Sequence, residues 1–281
     1  MLTIAILTWR EVLRRKLLAA AILLTILFLG LYGLGLYYAN KEMLANASPL
    51  PQLQRELIIK QLVSVGIYFG SFIVSLLAIF SAAGTVSSEI EGGTVYAVLA
   101  RPIKRVDFIL GKLLGHGCLL VLFAAFFLAA LSAIVYCITG FMVNGIYPAL
   151  GLFCLQPLVL LSVAALGSVL FPTLANGIIV FMIYAIAVVG GMVEQFGWII
   201  KSATMVRIGI VSSLIMPVDA LYRKIVHTLL SFSGESSLYL TQMGPFGCLS
   251  EPSTQMLVYT VLYIIGATFL AACLFRKKDI P

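Results

Sequence analysis

Six stretches of twenty or more nearly unbroken apolar residues constrain this chain more than anything else in it: 17–39, 62–86, 113–140, 149–171, 174–193 and 256–275. A helix needs about 20 such residues to cross a bilayer core about 30 Å thick. A soluble domain of 281 residues cannot hide that much apolar surface, because even a large core leaves much of the chain facing water. Only 10% of the residues are charged, against about 25% in soluble domains. Barrel strands would alternate over about 10 residues, whereas these runs are continuous. The expected fold is an all-α polytopic membrane protein with six transmembrane helices, with 1–281 forming a single transmembrane domain.

The basic residues set the expected orientation. Arg10, Arg14, Arg15 and Lys16 precede the first run, Arg101, Lys104, Arg105 and Lys112 lie between the second and third, and Arg276, Lys277 and Lys278 follow the sixth. With six spans these groups share one face and hold 11 of the 18 basic residues. The positive-inside rule makes that face cytoplasmic and places both termini inside. A net charge of +7 distributed this way points to a membrane surface and not to nucleic acid. The first run is too long for the 7–15 residue core of a signal peptide, and "ANA" at 45–47 lies beyond its end, so the span is expected to be retained. The five cysteines form no C-x-x-C pair, which argues against a metal site or a disulfide framework.

Residues 1–16 read as an amphipathic helix lying in the headgroup plane. Leu2, Ile6, Trp9 and Leu13 recur at helical spacing, and Arg10, Arg14 and Arg15 sit away from that stripe. Residues 40–61 read as an outer loop leading into a short helix. "FMVNGIYP" reads as an outer turn, and "FPTLANG" as an inner turn in which Pro172 ends one helix and Asn176–Gly177 open the next. Gly66 with Gly70, and Gly111 with Gly115, form G-x-x-x-G pairs that let helices approach closely. Pro157 should kink the fourth span. Residues 194–255 form an extracellular or re-entrant connection. Within it, 203–217 is too short and too charged to span, and 218–230 reads as an amphipathic helix. Glu194 and Asp219 fall in this connection, so no apolar run carries an ionisable residue of the kind that marks an ion relay.

The least apolar block is 87–112, between the second and third spans. Gly92–Gly93 are expected to end the helix that begins in span two. Thr94 can cap a short helix over Val95–Ala100, and Pro102 breaks that helix at Arg101. Proline suits a first helical turn, so another helix should start at Pro102 and run into span three. Charge alone makes the block a topology signal that holds anionic lipid. The two breaks isolate a two-turn helix at the cytoplasmic face.

An acidic residue after a span, Gly-Thr, a short apolar helix, Arg-Pro-Ile-x-Arg and a downstream Gly-Lys together resemble the permease subunit of type-2 ABC transporters. Here these are Glu89 and Glu91, Gly93–Thr94, Arg101–Pro102–Ile103 with Arg105, and Gly111–Lys112. The N-terminal interfacial helix, the six spans and the irregular connection before the last span extend the resemblance over the whole chain. It implies that 87–112 is a cytoplasmic coupling region whose short helix seats in a separate ATPase subunit. The apolar tip of Val95, Tyr96, Val98 and Leu99 would fill a pocket there. Glu89 would face the partner, and Arg101 and Arg105 would pair with its acids or with lipid phosphate.

No G-x-x-x-x-G-K-[ST] occurs, since the Gly111–Lys112 pair lacks the glycine-rich lead-in. ATP and Mg would therefore be bound by the partner ATPase, with no cofactor in this chain. The implied assembly has two ATPase copies, a second permease copy or paralogue, and surrounding lipid. The expected activity is export across the plasma (inner) membrane. The alternative is a membrane assembly or anchoring factor that transports nothing. No H-E-x-x-H or G-x-S-x-G motif supports an enzyme.

Overall fold

The computed structural model describes residues 1–45, 52–93, 105–141, 145–230, 248 and 252–277. Among them are ten helices and no strand: α1 (Leu2–Arg14), α2 (Lys16–Ala45), α3 (Gln52–Ala82), α4 (Ser87–Glu91), α5 (Arg105–Thr139), α6 (Ile146–Leu170), α7 (Thr173–Ile200), α8 (Ala203–Ile215), α9 (Val218–Leu230) and α10 (Thr254–Lys277). Six are long and apolar enough to cross a membrane: α2, α3, α5, α6, α7 and α10.

The hub is α6, which packs against α3, α5, α7, α9 and α10. Its apolar faces feed two core clusters stacked along the bundle. One holds Val12, Ile79, Phe108, Leu160 and Phe275, and the other holds Ile67, Phe127, Phe153 and Ile225. Phe127 stacks on Phe28 and Phe153 at 6.0 and 6.1 Å between ring centres. Between the clusters, the buried Gln156 accepts a hydrogen bond from Ser71 Oγ (3.0 Å) and donates one to the Val218 carbonyl (3.2 Å). One amide thus satisfies polar groups from α3 and α9 where lipid offers no partner. The helix α6 continues through Pro157.

The segment α1 lies against α5. Its contact face is Ile4, Ala5, Thr8 and Val12, at helical spacing, with Thr8 and Val12 buried. The G-x-x-x-G pair on α5 makes the approach possible. A Cβ on Gly115 would lie 2.7 Å from the Ala5 carbonyl oxygen, and one on Gly111 would lie 2.9 Å from Ile4 Cβ. The other glycine pair serves a different purpose: Gly66 and Gly70 receive the rings of Tyr32 and Phe127. Of the expected stripe, Leu2, Ile6 and Leu13 are 76%, 48% and 50% exposed and turn away from the protein, whereas Trp9 is half-buried and packs against the core.

Several boundaries differ from the sequence reading. The helix of span two begins at Gln52, and α2 runs to Ala45, so little of 40–61 is loop. Span two first breaks at Ala82, and Gly92–Gly93 close the short α4 instead. The next helix opens at Thr173 directly after Pro172, ahead of Asn176. The largest difference lies at the far end of that helix. It does not stop at 193 but runs to Ile200, which places Glu194 inside a span and overturns the expectation of six spans without an internal charge. Hydropathy ends a run at its first charge. The fold continues because Arg223 neutralises Glu194 inside the bundle.

The helix α7 turns back on itself through Lys201, whose φ of 58° is left-handed, and α8 returns along it. At Met216–Pro217 the chain bends by 106° into α9. Each of these 13-residue helices is only about 20 Å long, too short to cross alone.

Candidate coupling site at the charged end

The segment 94–104 holds Thr94, Val95, Tyr96, Val98, Leu99, Arg101 and Pro102, and lies outside the described residues. What is described is how each flank is anchored. On the leading side, α3 ends and a tight turn carries the chain into α4, where the Ile90 and Ser88 carbonyls accept bonds from Gly93 N (3.2 Å) and Gly92 N (3.0 Å). Gly93 takes φ 70°, a left-handed backbone that a side chain would strain.

The two acidic residues of α4 go to different places. Glu89 forms an ion pair with Lys112 of α5. Lys112 is almost wholly buried, lies over the Phe108 ring at 5.6 Å, and reaches Glu11 of α1 at 3.8 Å. Glu11 also pairs with Arg15, one turn along. Burial works against the charged form of Glu11. The Arg15 hydrogen bond and the Lys112 and Arg15 charges outweigh it and hold its carboxyl below the ordinary range. Through Lys112, then, α4, α5 and α1 share one buried cation.

Glu91 turns the other way. Its carboxylate accepts bonds from Thr173 N (3.1 Å) and Thr173 Oγ1 (3.3 Å), at the first residue of α7. Ser87 adds a hydroxyl contact to Thr173 Oγ1 at 2.8 Å. Pro172 precedes that residue and supplies no side-chain cap of its own. Glu91 therefore caps α7 from another element, placing a negative charge where unpaired amides and the helix dipole favour it. One turn further in, the buried Asn176 donates to the Ala83 and Ala164 carbonyls, both at 2.8 Å. A notch of about 230 Å³ opens beside this junction, lined by Ser87, Ile90, Glu91, Ser168, Phe171 and Pro172. On the trailing side, Arg105 opens α5 and donates to the Arg276 carbonyl near the end of α10 (3.4 Å), while Phe108 stacks on Phe275 at 5.8 Å.

Of the residues singled out from sequence, Glu89, Glu91, Gly93 and Arg105 thus flank one face of the bundle. Sequence reasoning missed the bracing roles of Glu11, Thr173 and Asn176, and gave Lys112 no role beyond the motif and the basic group that sets orientation. No local spacing connects residues more than eighty positions apart.

A second polar cluster lies at the opposite end. Arg223 of α9 is 2% exposed. It donates to both carboxylate oxygens of Glu194 (2.6 and 3.0 Å) and to Ser213 Oγ (3.3 Å), and its Nε lies 3.0 Å from Asp219. The i, i+4 spacing of Asp219 and Arg223 was a legible signal. The approach of Glu194 was not. Glycines make the room, since a Cβ on Gly191 would fall within the Asp219 carboxylate and one on Gly209 would clash with Glu194. A cavity of about 240 Å³ adjoins the cluster, lined by Glu194, Ser213, Arg223, Pro252, Ser253 and Met256. Among the described residues no group of three or more potential metal ligands comes together.

The profile of the ABC-2 family transporter proteins matches residues 2–280. Over 52 residues the chain is 40% identical to the "Probable ABC transporter permease protein NosY" of Pseudomonas aeruginosa, a stretch that covers 18% of this chain and 19% of that relative. With six candidate spans, a braced charged end and a family match over nearly its whole length, the chain belongs to the ABC-2 family of transporters, as a multi-pass membrane component without ATPase activity of its own.

Proposed function

We propose that this chain is the membrane-spanning subunit of an ATP-driven exporter in the plasma (inner) membrane, with both termini cytoplasmic. It pairs with a second permease copy or a paralogue, and two copies of a separate ATPase bind the ATP and Mg. The segment 94–104 and the adjoining Arg105 engage the ATPase, with Val95, Tyr96, Val98 and Leu99 as the apolar tip and Arg101 and Arg105 as charged contacts.

The observation that carries this reading is the double tether of α4. Glu89 ties it to α5 and α1 through Lys112, and Glu91 ties it to the start of α7. A push on the segment after Gly93 would therefore be delivered to α3, α5 and α7 together, as a two-state bundle requires. A basic loop that only set topology would need no such bracing. The exposed Leu2, Ile6 and Leu13 of α1 suit a helix lying at the lipid surface beside this junction.

The test is to replace Val95–Leu99 with a Gly/Ser linker in the permease–ATPase complex. Binding of the ATPase and its stimulation by the permease should both be lost. Glu91→Gln should keep ATPase binding while transport per ATP falls, because the cap on α7 weakens by about 1 kcal/mol. Unchanged binding and stimulation by the linker variant would sink the proposal.

A further inference from the structure

The turn between α7 and α8 carries more charge than a turn needs. Lys201 takes a left-handed backbone there, alone among the described non-glycine residues. Glycine or asparagine adopts that conformation more readily than lysine. The helix-ending bonds, Lys201 N to the Trp198 carbonyl (3.4 Å) and Ser202 N to the Gly197 carbonyl (2.9 Å), are made by the backbone alone. The lysine side chain is thus not what makes the turn.

It lines a cavity of about 370 Å³ together with Gly197, Trp198, Ser202, Val206 and Arg207. Lys201 and Arg207 are both exposed, and neither forms an ion pair among the described residues. The acids nearest in sequence, Glu194 and Asp219, are committed to Arg223. Two cations thus face one open space, and α8 begins beside them without a side-chain cap.

The depth of this space is set by α7. That helix starts at Thr173, bonded to the charged end, and its 28 residues span about 42 Å. This exceeds a hydrocarbon core of about 30 Å and brings residues 198–207 to headgroup level on the opposite face. Trp198, 52% exposed, is the residue type that settles at that level. Ile199, Ile200 and Ile208 flank the cations and are also exposed. Exposed isoleucines, an indole and two cations around one open space match an amphiphile, whereas a soluble anion would have no use for the isoleucines.

We propose that the α7–α8 turn binds the phosphate headgroup of an anionic phospholipid in the leaflet opposite the charged end. Lys201 and Arg207 hold the phosphate, and the exposed Trp198, Ile199, Ile200 and Ile208 pack against the lipid's apolar part. Zwitterionic lipids bring their own cation and are disfavoured.

The chain has two tryptophans, so Trp9→Phe leaves Trp198 as the sole tryptophan, a direct reporter when indole is excited selectively. The full-length protein is reconstituted in phosphatidylcholine vesicles containing equal mole fractions of either brominated phosphatidylglycerol or brominated phosphatidylcholine. Trp198 should associate with the brominated phosphatidylglycerol roughly fivefold or more in preference. Lys201→Asn, which suits the left-handed backbone, combined with Arg207→Gln should bring that ratio to one while leaving quenching by brominated phosphatidylcholine unchanged. Should the double variant lower the melting temperature, Arg207→Gln alone must still reduce the ratio. Equal quenching by both lipids in the parent overturns the proposal. So does loss of the preference on adding millimolar inorganic phosphate, which would assign the site to a soluble anion.

Discussion

Lys112 and Arg223 are both buried cations that hold two carboxylates each, yet their surroundings make different demands. Lys112 is almost fully covered, while its partner Glu11 is 44% exposed. Glu11→Gln should therefore cost under about 1 kcal/mol, as for surface pairs. Lys112→Met leaves Glu89 facing an empty cationic site and should cost on the order of 3 kcal/mol. Thermal unfolding in detergent separates the two, and equal shifts would show that the shared cation is unimportant. Arg223 is enclosed more completely. Arg223→Met should cost about 3–5 kcal/mol, and adding Glu194→Leu and Asp219→Leu should recover most of that loss, because the uncompensated charges are then gone. A triple variant as unstable as the single one would show that the cluster matters through packing. Apart from Asp219, one turn from Arg223, these partners could not be read from the sequence. Glu11 with Lys112, and Glu194 with Arg223, share no helical spacing, and the continuity of α7 through Glu194 becomes understandable only once α9 is in place.

At the scale of elements, periodicity and glycine spacing carried real information. The apolar runs marked all six long helices, and the G-x-x-x-G of α5 marked a close approach, although its partner turned out to be α1 and not another span. The outward stripe was legible at Leu2, Ile6 and Leu13 but not at Trp9, which packs against the core. The contact face of Ile4, Thr8 and Val12 was not, because in an apolar chain a protein-facing surface looks like a lipid-facing one. The α5–α1 contact makes a clear prediction. Gly115→Val places side-chain atoms against the Ala5 carbonyl and Thr8, and overpacking of this kind costs about 1–3 kcal/mol. In a Trp198→Phe background the Trp9 emission should shift to the red as α1 lifts from α5. An unchanged spectrum would mean that the contact yields without moving α1. The ends of elements were the least legible part, since α2, α3 and α7 all continue past the charges at which hydropathy stops them.

Across the whole molecule, the two polar clusters sit at opposite ends of α7, with Thr173 held by Glu91 at one and Glu194 held by Arg223 at the other. The proposed orientation, with both termini cytoplasmic, puts Leu174 on the inner side of the membrane and Ser202 on the outer. In a chain whose five cysteines are replaced, Ser202→Cys should react with a membrane-impermeant maleimide added outside, and Leu174→Cys only after permeabilisation. The reverse pattern would invert the orientation. The Glu194–Arg223 pair also bears on how the protein is made. Twenty-nine residues separate the two partners, so during synthesis α7 emerges with a bare carboxylate near its end. A lone acidic residue lowers the tendency of a helix to enter lipid, by about 2.5–3.5 kcal/mol at mid-membrane and less toward the ends. The helix gains its counter-charge only when α9 has left the ribosome. Biogenesis is therefore expected to hand α7, α8 and α9 to the bilayer as one late-released package, the last to commit before α10 closes the bundle.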